Sequence, residues 1–105
     1  LDNLTAFLDY NHLQIDGRIE DVKSFSDPAA RFAAFGWHVI EVDGHSFIEL
    51  DKAVTEAENT KGKPTMVVMH TIKGKGISFM ENQSGWHGKA PSAEEAEQAL
   101  KELGL

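Results

Sequence analysis

The run Thr65-Met66-Val67-Val68-Met69 is apolar on both of its alternating faces. A strand with one face in water alternates apolar and polar residues. A strand covered on both faces reads as a continuous apolar run, the pattern of a central strand in a parallel sheet. Working outward from it, Lys61-Gly62-Lys63-Pro64 ends a helix that Ser46-x-x-Glu49 opens as a capping box. Phe47, Leu50, Ala53, Val54 and Ala57 give that helix its apolar face. Before it, Trp37-His38-Val39-Ile40-Glu41-Val42 reads as a strand stopped by Asp43-Gly44. Ser26-Asp27-Pro28 places proline in a first helical turn, with Ala29, Phe32, Ala33 and Phe35 facing inward and Gly36 as the stop. Leu4 to Leu8 reads as a buried strand, and the polar cluster Asp9-Tyr10-Asn11-His12 as the loop that closes it. Asp16-Gly17 is a turn signal.

Downstream of Met69 the periodicity stops. Residues 71–91 carry glycine at 74, 76, 85 and 88 and no helical or strand pattern. Unpatterned stretches of this length inside a compact domain are often functional. Ser92-x-x-Glu95 then opens a last helix as a second capping box, with Ala96, Ala99, Leu100 and Leu103 inward and Gly104 at its end. Alternating strands and helices imply an α/β fold with a mainly parallel sheet between helical layers, α/β/α. Ligands of such sheets bind beyond the carboxyl ends of the strands. That singles out two segments, Asp9 to Gly17 and Thr71 to Pro91.

With 105 residues and no cysteine, the chain holds one modest core and neither a disulfide scaffold nor a thiolate zinc site. No apolar run approaches the ~20 residues of a membrane span. No basic segment followed by an apolar stretch opens the chain as a signal peptide would. The net charge of −7 argues against general nucleic-acid binding. Against that acidic background Lys61, Lys63, Lys73, Lys75 and Lys89 share their stretch with a single acid, Glu81. A basic, glycine-rich stretch in an acidic domain suits a small anionic ligand such as a phosphate. The chain opens on Leu1-Asp2-Asn3 and enters a strand almost at once, so it is expected to be a piece of a longer protein.

Gly74-Lys75-Gly76 lacks the third glycine and the following helix of a dinucleotide fingerprint, and no Gly-Lys-Ser/Thr of a Walker loop occurs. Of the five histidines, none has metal-ligand spacing to another. His38 and His45 read as surface residues, and His70 as a hydrogen-bonded structural residue. His87 lies between Trp86 and Gly88 and beside Lys89. Glycines near it let the backbone approach a ligand, and an imidazole is suited to moving protons near neutral pH. The Asn11 side-chain oxygen is a hard donor suited to Mg²⁺ or Ca²⁺, although asparagine is also an ordinary turn residue.

The segments Asp9-Tyr10-Asn11-His12-Leu13-Gln14-Ile15-Asp16-Gly17, Phe35-Gly36-Trp37, Val42-Asp43-Gly44-His45, Gly74-Lys75-Gly76 and Gly85-Trp86-His87-Gly88-Lys89-Ala90-Pro91 resemble, in order and spacing, the diphosphate-binding domain of transketolases. The similarity runs over nearly the whole chain, and the Trp-His-Gly-Lys-Ala-Pro wording looks most like the N-terminal subunit of two-subunit transketolases. The resemblance implies thiamine diphosphate held through a divalent metal, Mg²⁺ or Ca²⁺. Asn11 then matches a metal ligand acting through its side chain, and Leu13 one acting through its backbone carbonyl. Ile15 matches an apolar residue near the thiazolium ring, and His87 a histidine near the diphosphate that transfers protons.

The same resemblance implies a cytoplasmic enzyme of the pentose phosphate pathway, transferring a two-carbon ketol unit from a ketose phosphate to an aldose phosphate. It would work with a C-terminal subunit or pyrimidine-binding domain, in a homo-oligomer or heterotetramer. The family's Gly-Asp-Gly motif, whose aspartate is a further metal ligand, does not occur in residues 1–105. The chain is therefore expected to be the C-terminal part of the cofactor domain, inactive alone. Phosphoketolase and deoxyxylulose-phosphate synthase share this domain and are the alternatives within the class. A non-catalytic α/β module binding a phosphorylated metabolite or serving as an interaction domain is the alternative outside it.

Overall fold

The computed structural model describes residues 1–14, 17–22 and 27–105. The chain divides into two compact units, Leu1–Tyr10 with Phe25–Thr71, and Asn11–Ser24 with Ile72–Leu105.

The first unit is built on a parallel sheet of β1 (Thr5–Tyr10), β4 (His38–Asp43) and β5 (Thr65–His70) in the order β1-β5-β4. Thr65 of the central strand aligns with Thr5 on one side and His38 on the other. The apolar run that announced a two-faced strand is β5, and Val67 and Val68, on opposite faces, are both 0% exposed. Full burial of a valine contributes about 1.5–3 kcal/mol, so β5 is where the unit's stability is concentrated. On one face Val67 and Val42 pack with Ala53, and Ile40, Leu50 and Met69 surround them. Ala53 and Leu50 come from α3 (Phe47–Asn59). On the other face Met66 and Val68 are also buried, so both faces of β5 are covered, as the α/β reading requires.

Several local readings are corrected. The first strand runs on through Asp9 and Tyr10, which continue the ladder opposite Met69 and His70. It is half-buried rather than buried: Ala6, Leu8 and Tyr10 are partly covered, and Thr5, Phe7 and Asp9 are exposed. The cause is its place at the edge of the sheet, where β5 is its one ladder partner among the described residues. In α2 (Pro28–Ala34), Asp27 accepts the Ala30 N–H and Gly36 turns left-handed to end the helix. Trp37 N–H and Gly36 N–H bond back to Phe32 and Ala33, and the Trp37 and Phe32 rings meet edge to face at 5.4 Å. This end motif carries the aromatic contact and leaves Phe35 outside, 85% exposed. Ser26 lies outside the described residues. In α3 the capping box is half made. Ser46 Oγ accepts the Glu49 N–H, but the Glu49 carboxylate takes the Asp43 N–H instead. Phe47 stands 89% exposed in the first turn, and Val54 is also exposed.

The second unit contains a hairpin of β2 (Leu13–Gln14) and β3 (Gly17–Arg18), the short α1 (Ile19–Val22) and α4 (Ala93–Glu102). Two-residue strands and a four-residue helix carry no periodicity, so Asp16-Gly17 is their one legible trace. The long segment after β5 is a succession of hydrogen-bonded turns ending in a 3-10 turn, Ser84–Trp86. It is tied to the end of α4, where the Glu102 carboxylate accepts the Ser78 N–H at 2.5 Å and the Ser78 hydroxyl at 2.7 Å. The second capping box is complete, with Ser92 and Glu95 exchanging both bonds. Ala99 is buried as expected, while Leu100 and Leu103 are each 49% exposed. Among the described residues no helix is long and apolar enough to cross a membrane.

Candidate functional site

Asn11 leaves β1 and turns at once. Its Oδ1 accepts the Leu13 N–H at 3.0 Å, an asparagine turn that fixes the side-chain oxygen beside the Leu13 backbone. His12 between them is forced into the left-handed region at φ 61, which costs a residue with a Cβ about 1–2 kcal/mol. The turn is held from outside as well: the His12 carbonyl accepts the Ile19 N–H at 3.0 Å, and its Nδ1 lies 3.6 Å from Glu20. A backbone hydrogen bond, with Arg18 and His12 adding to it against some desolvation, keeps the Glu20 carboxyl below its ordinary value. Strain supported in this way is typical of a backbone shaped for a ligand.

The second contributing segment leaves β5, the neighbour of β1 in the sheet. Lys73 is half-buried, and its carbonyl accepts the Asn82 N–H at 3.0 Å, closing the loop between them. Gly74, at φ +72, could not carry a side chain there, because a Cβ would stand 2.7 Å from the Met80 carbonyl oxygen. The segment then reaches the 3-10 turn, which hands the chain to His87, whose N–H bonds the Ser84 carbonyl at 3.0 Å.

These two segments line one cavity of about 250 Å³, formed by Asn11, Leu13, Gln14, Lys73, Ser84 and His87. Three of the residues singled out in the sequence, Asn11, Leu13 and His87, are therefore brought together. Ile15 lies outside the described residues. The sequence singles out neither Gln14 nor Ser84, and Lys73 only as one lysine of a basic stretch. Lys73 carries a further signal, being the first cation after β5, whereas nothing distinguishes Gln14 or Ser84. His38 and His70 are paired with Glu56 at 2.6 Å and Glu41 at 3.0 Å, in agreement with a structural reading of His70. Asp9 accepts a hydrogen bond from the Thr71 hydroxyl.

The lining fits a metal-bridged oxyanion. An asparagine oxygen and a backbone carbonyl are hard donors, suited to Mg²⁺ or Ca²⁺. An amide oxygen has two lone pairs, so Asn11 Oδ1 can serve the Leu13 N–H and a cation together. Lys73 supplies positive charge. The buried Gln14 Nε2 has no hydrogen-bond partner among the described residues, and an oxyanion is the kind of partner it lacks. Among the described residues no cluster of three histidines or carboxylates could hold a metal alone.

A parallel α/β sheet and a cavity lined by the side chains of Asn11, Gln14, Lys73, Ser84 and His87 beside Leu13 make this an α/β protein with a pocket suited to a small anionic ligand. The family model "Transketolase, thiamine diphosphate binding domain" matches residues 1–105, and the chain belongs to that family. It is 41% identical over 103 residues to one component of the apulose-4-phosphate transketolase of Phocaeicola vulgatus, covering 98% of this chain and 37% of that protein. It is 42% identical over 103 residues to a 6-deoxy-6-sulfo-D-fructose transketolase subunit of Clostridium sp., covering 98% of this chain and 38% of that one. The crystal structure of the Pichia stipitis transketolase complex with sedoheptulose-7-phosphate superposes with a TM-score of 0.88 at 33% identity, covering 99% of this chain and 15% of that chain. The chain thus spans little more than a third of the length of the first two relatives.

Proposed function

We propose that residues 1–105 are the C-terminal part of the cofactor domain of a transketolase, an enzyme moving a two-carbon ketol unit from a ketose phosphate to an aldose phosphate. The observation that carries this reading is the convergence of Asn11, Leu13, Lys73 and His87 on one cavity from two segments far apart in the chain. Asn11 Oδ1 and the Leu13 carbonyl hold a divalent metal, Mg²⁺ or Ca²⁺, and Lys73 balances the charge of the diphosphate. Thiamine diphosphate, when bound, supplies the carbon nucleophile and electron sink for ketol transfer, which no side chain offers. His87 takes and returns protons at a ring nitrogen, a role worth about 10²–10⁴-fold in such sites.

The Phocaeicola vulgatus and Clostridium relatives are both named as transketolase subunits. By analogy the intact protein works in the cytoplasm with a C-terminal transketolase subunit in a heterotetramer, or with a pyrimidine-binding domain of its own chain in a homo-oligomer. A family aspartate from a Gly-Asp-Gly motif completes the metal ligands, so residues 1–105 alone do not turn over. The test is Asn11→Ala in the intact protein, with thiamine diphosphate binding followed by calorimetry across a Mg²⁺ titration. The variant should need at least about tenfold more Mg²⁺, as for a lost ligand-level interaction. An unchanged Mg²⁺ requirement would remove Asn11 from the site.

A further inference from the structure

The His87 ring makes no hydrogen bond among the described residues, so its place depends on its backbone. That backbone is poorly constrained by its own sequence. Gly85 and Gly88 flank the Trp86-His87 pair, Gly88 at φ 76, and a Cβ on either would meet nothing within 4 Å. Glycines of this kind leave a segment with the greatest conformational freedom to lose. Trp86 opposes that freedom. Its indole Nε1–H donates to the Phe79 carbonyl at 3.1 Å, and its ring lies against the Phe79 ring at 5.7 Å. The Lys89 ammonium stands 4.2 Å from the Trp86 ring centroid. A cation over an indole face is worth the most among aromatic partners. Trp86 therefore grips the chain on both sides of His87, seven residues back at Phe79 and three residues on at Lys89. The backbone bonds of the turn run through the same place: Trp86 N–H to Gln83 at 3.3 Å, His87 N–H to Ser84 at 3.0 Å and Lys89 N–H to Trp86 at 3.4 Å.

The geometry points to Trp86, capped by Lys89, as the positioning residue that holds His87 at the cavity. The assignment rests on the proton-transfer reading of His87. Misplacement of a catalytic group by about 1 Å costs on the order of 10²-fold in rate, so an unanchored His87 loses turnover without any change in what the cavity binds.

The test compares four variants of the intact protein, each assembled with its partner subunit: Trp86→Ala, Trp86→Phe, His87→Ala and the double variant Trp86→Ala/His87→Ala. Trp86→Ala should lower kcat about tenfold to a hundredfold, with the KM for the ketose phosphate donor and the thiamine diphosphate affinity within about threefold. Amide exchange at His87 and Lys89 should accelerate in parallel. Trp86→Phe keeps a ring under Lys89 but loses the Nε1–H, and should fall between. The double variant should be no slower than His87→Ala alone, because residues that act through one another are not additive. If Trp86→Ala does not fold, Trp86→Phe and Lys89→Met carry the same comparison. Additive losses, or an unchanged kcat in Trp86→Ala beside an impaired His87→Ala, overturn the positioning role alone. An unimpaired His87→Ala overturns the reading of His87 and the assignment with it.

Discussion

Gly74→Ala tests whether the loop that presents Lys73 is packed as described. Two separate costs arise. Alanine at φ +72 occupies the left-handed region, at about 1–2 kcal/mol. Its Cβ would also stand 2.7 Å from both Met80 Cβ and the Met80 carbonyl oxygen, and 2.8 Å from the carbonyl carbon. A side chain could rotate away, but backbone cannot, and forced overpacking costs about 1–3 kcal/mol. Relief by moving Met80 would disturb the Met80 N–H to Ile77 bond at 2.9 Å and the neighbouring Asn82 N–H to Lys73 bond at 3.0 Å. The loop should therefore lose about 2–5 kcal/mol. Gly88→Ala is the internal control, since Gly88 is at φ +76 with nothing within 4 Å of a Cβ, and it should lose only the first ~1–2 kcal/mol. Native-state hydrogen exchange on the intact protein reads both. Exchange of the Met80 and Asn82 amides should accelerate about thirtyfold or more in Gly74→Ala, at ~1.4 kcal/mol per tenfold. Equal effects of the two substitutions would refute the packing of Gly74 against Met80.

Two further outcomes follow from the same structure. The Glu102 carboxyl is held below its ordinary 4.5 by the Ser78 hydroxyl first, then the Ser78 N–H and Gln98. A depressed carboxyl lends stability that is present above its ordinary value and lost as pH falls through the lower folded one. The Ser78 amide should thus lose protection below about pH 4.5 in the native protein, and Glu102→Gln should abolish that pH dependence. Val67→Ala, at a fully buried centre of β5, should cost about 2–4 kcal/mol in urea unfolding through lost burial and a cavity. A cost under about 1 kcal/mol would mean that the surroundings collapse into the space.

The sheet is legible because Met66, Val67 and Val68 bury both faces of one strand, and burial on both faces leaves an unmistakable apolar run. The longer helices α2, α3 and α4 are legible from Asp27, Ser46 and Ser92, because a cap is a local interaction between residues close in sequence. What fails is direction. Periodicity alone points Phe35 and Phe47 inward, but each sits at a helix end, where the backbone is already turning and the 3.6-residue repeat no longer decides which way a side chain points. Glu49 bonds Asp43 rather than Ser46 because the Ser46 N–H is already taken by the Asp43 carbonyl at 3.1 Å, leaving the Asp43 N–H for the carboxylate. In the site, Asn11 and His87 stand out through chemistry and resemblance. Gln14 and Ser84 do not, because their importance comes from being brought beside residues distant in the chain, which no local pattern encodes.

His87→Ala, assayed by steady-state transfer from a ketose phosphate donor to an aldose phosphate in the complete protein with whatever subunit it proves to need, tests the proposed proton transfer most directly. His87 lines the same cavity as Asn11 and Lys73, and its replacement should lower kcat by about 10²–10⁴-fold while thiamine diphosphate affinity and the unfolding midpoint stay near those of the native protein. A loss of less than about threefold, small against that general acid–base range, would show that His87 moves no proton in the reaction and would contradict the account.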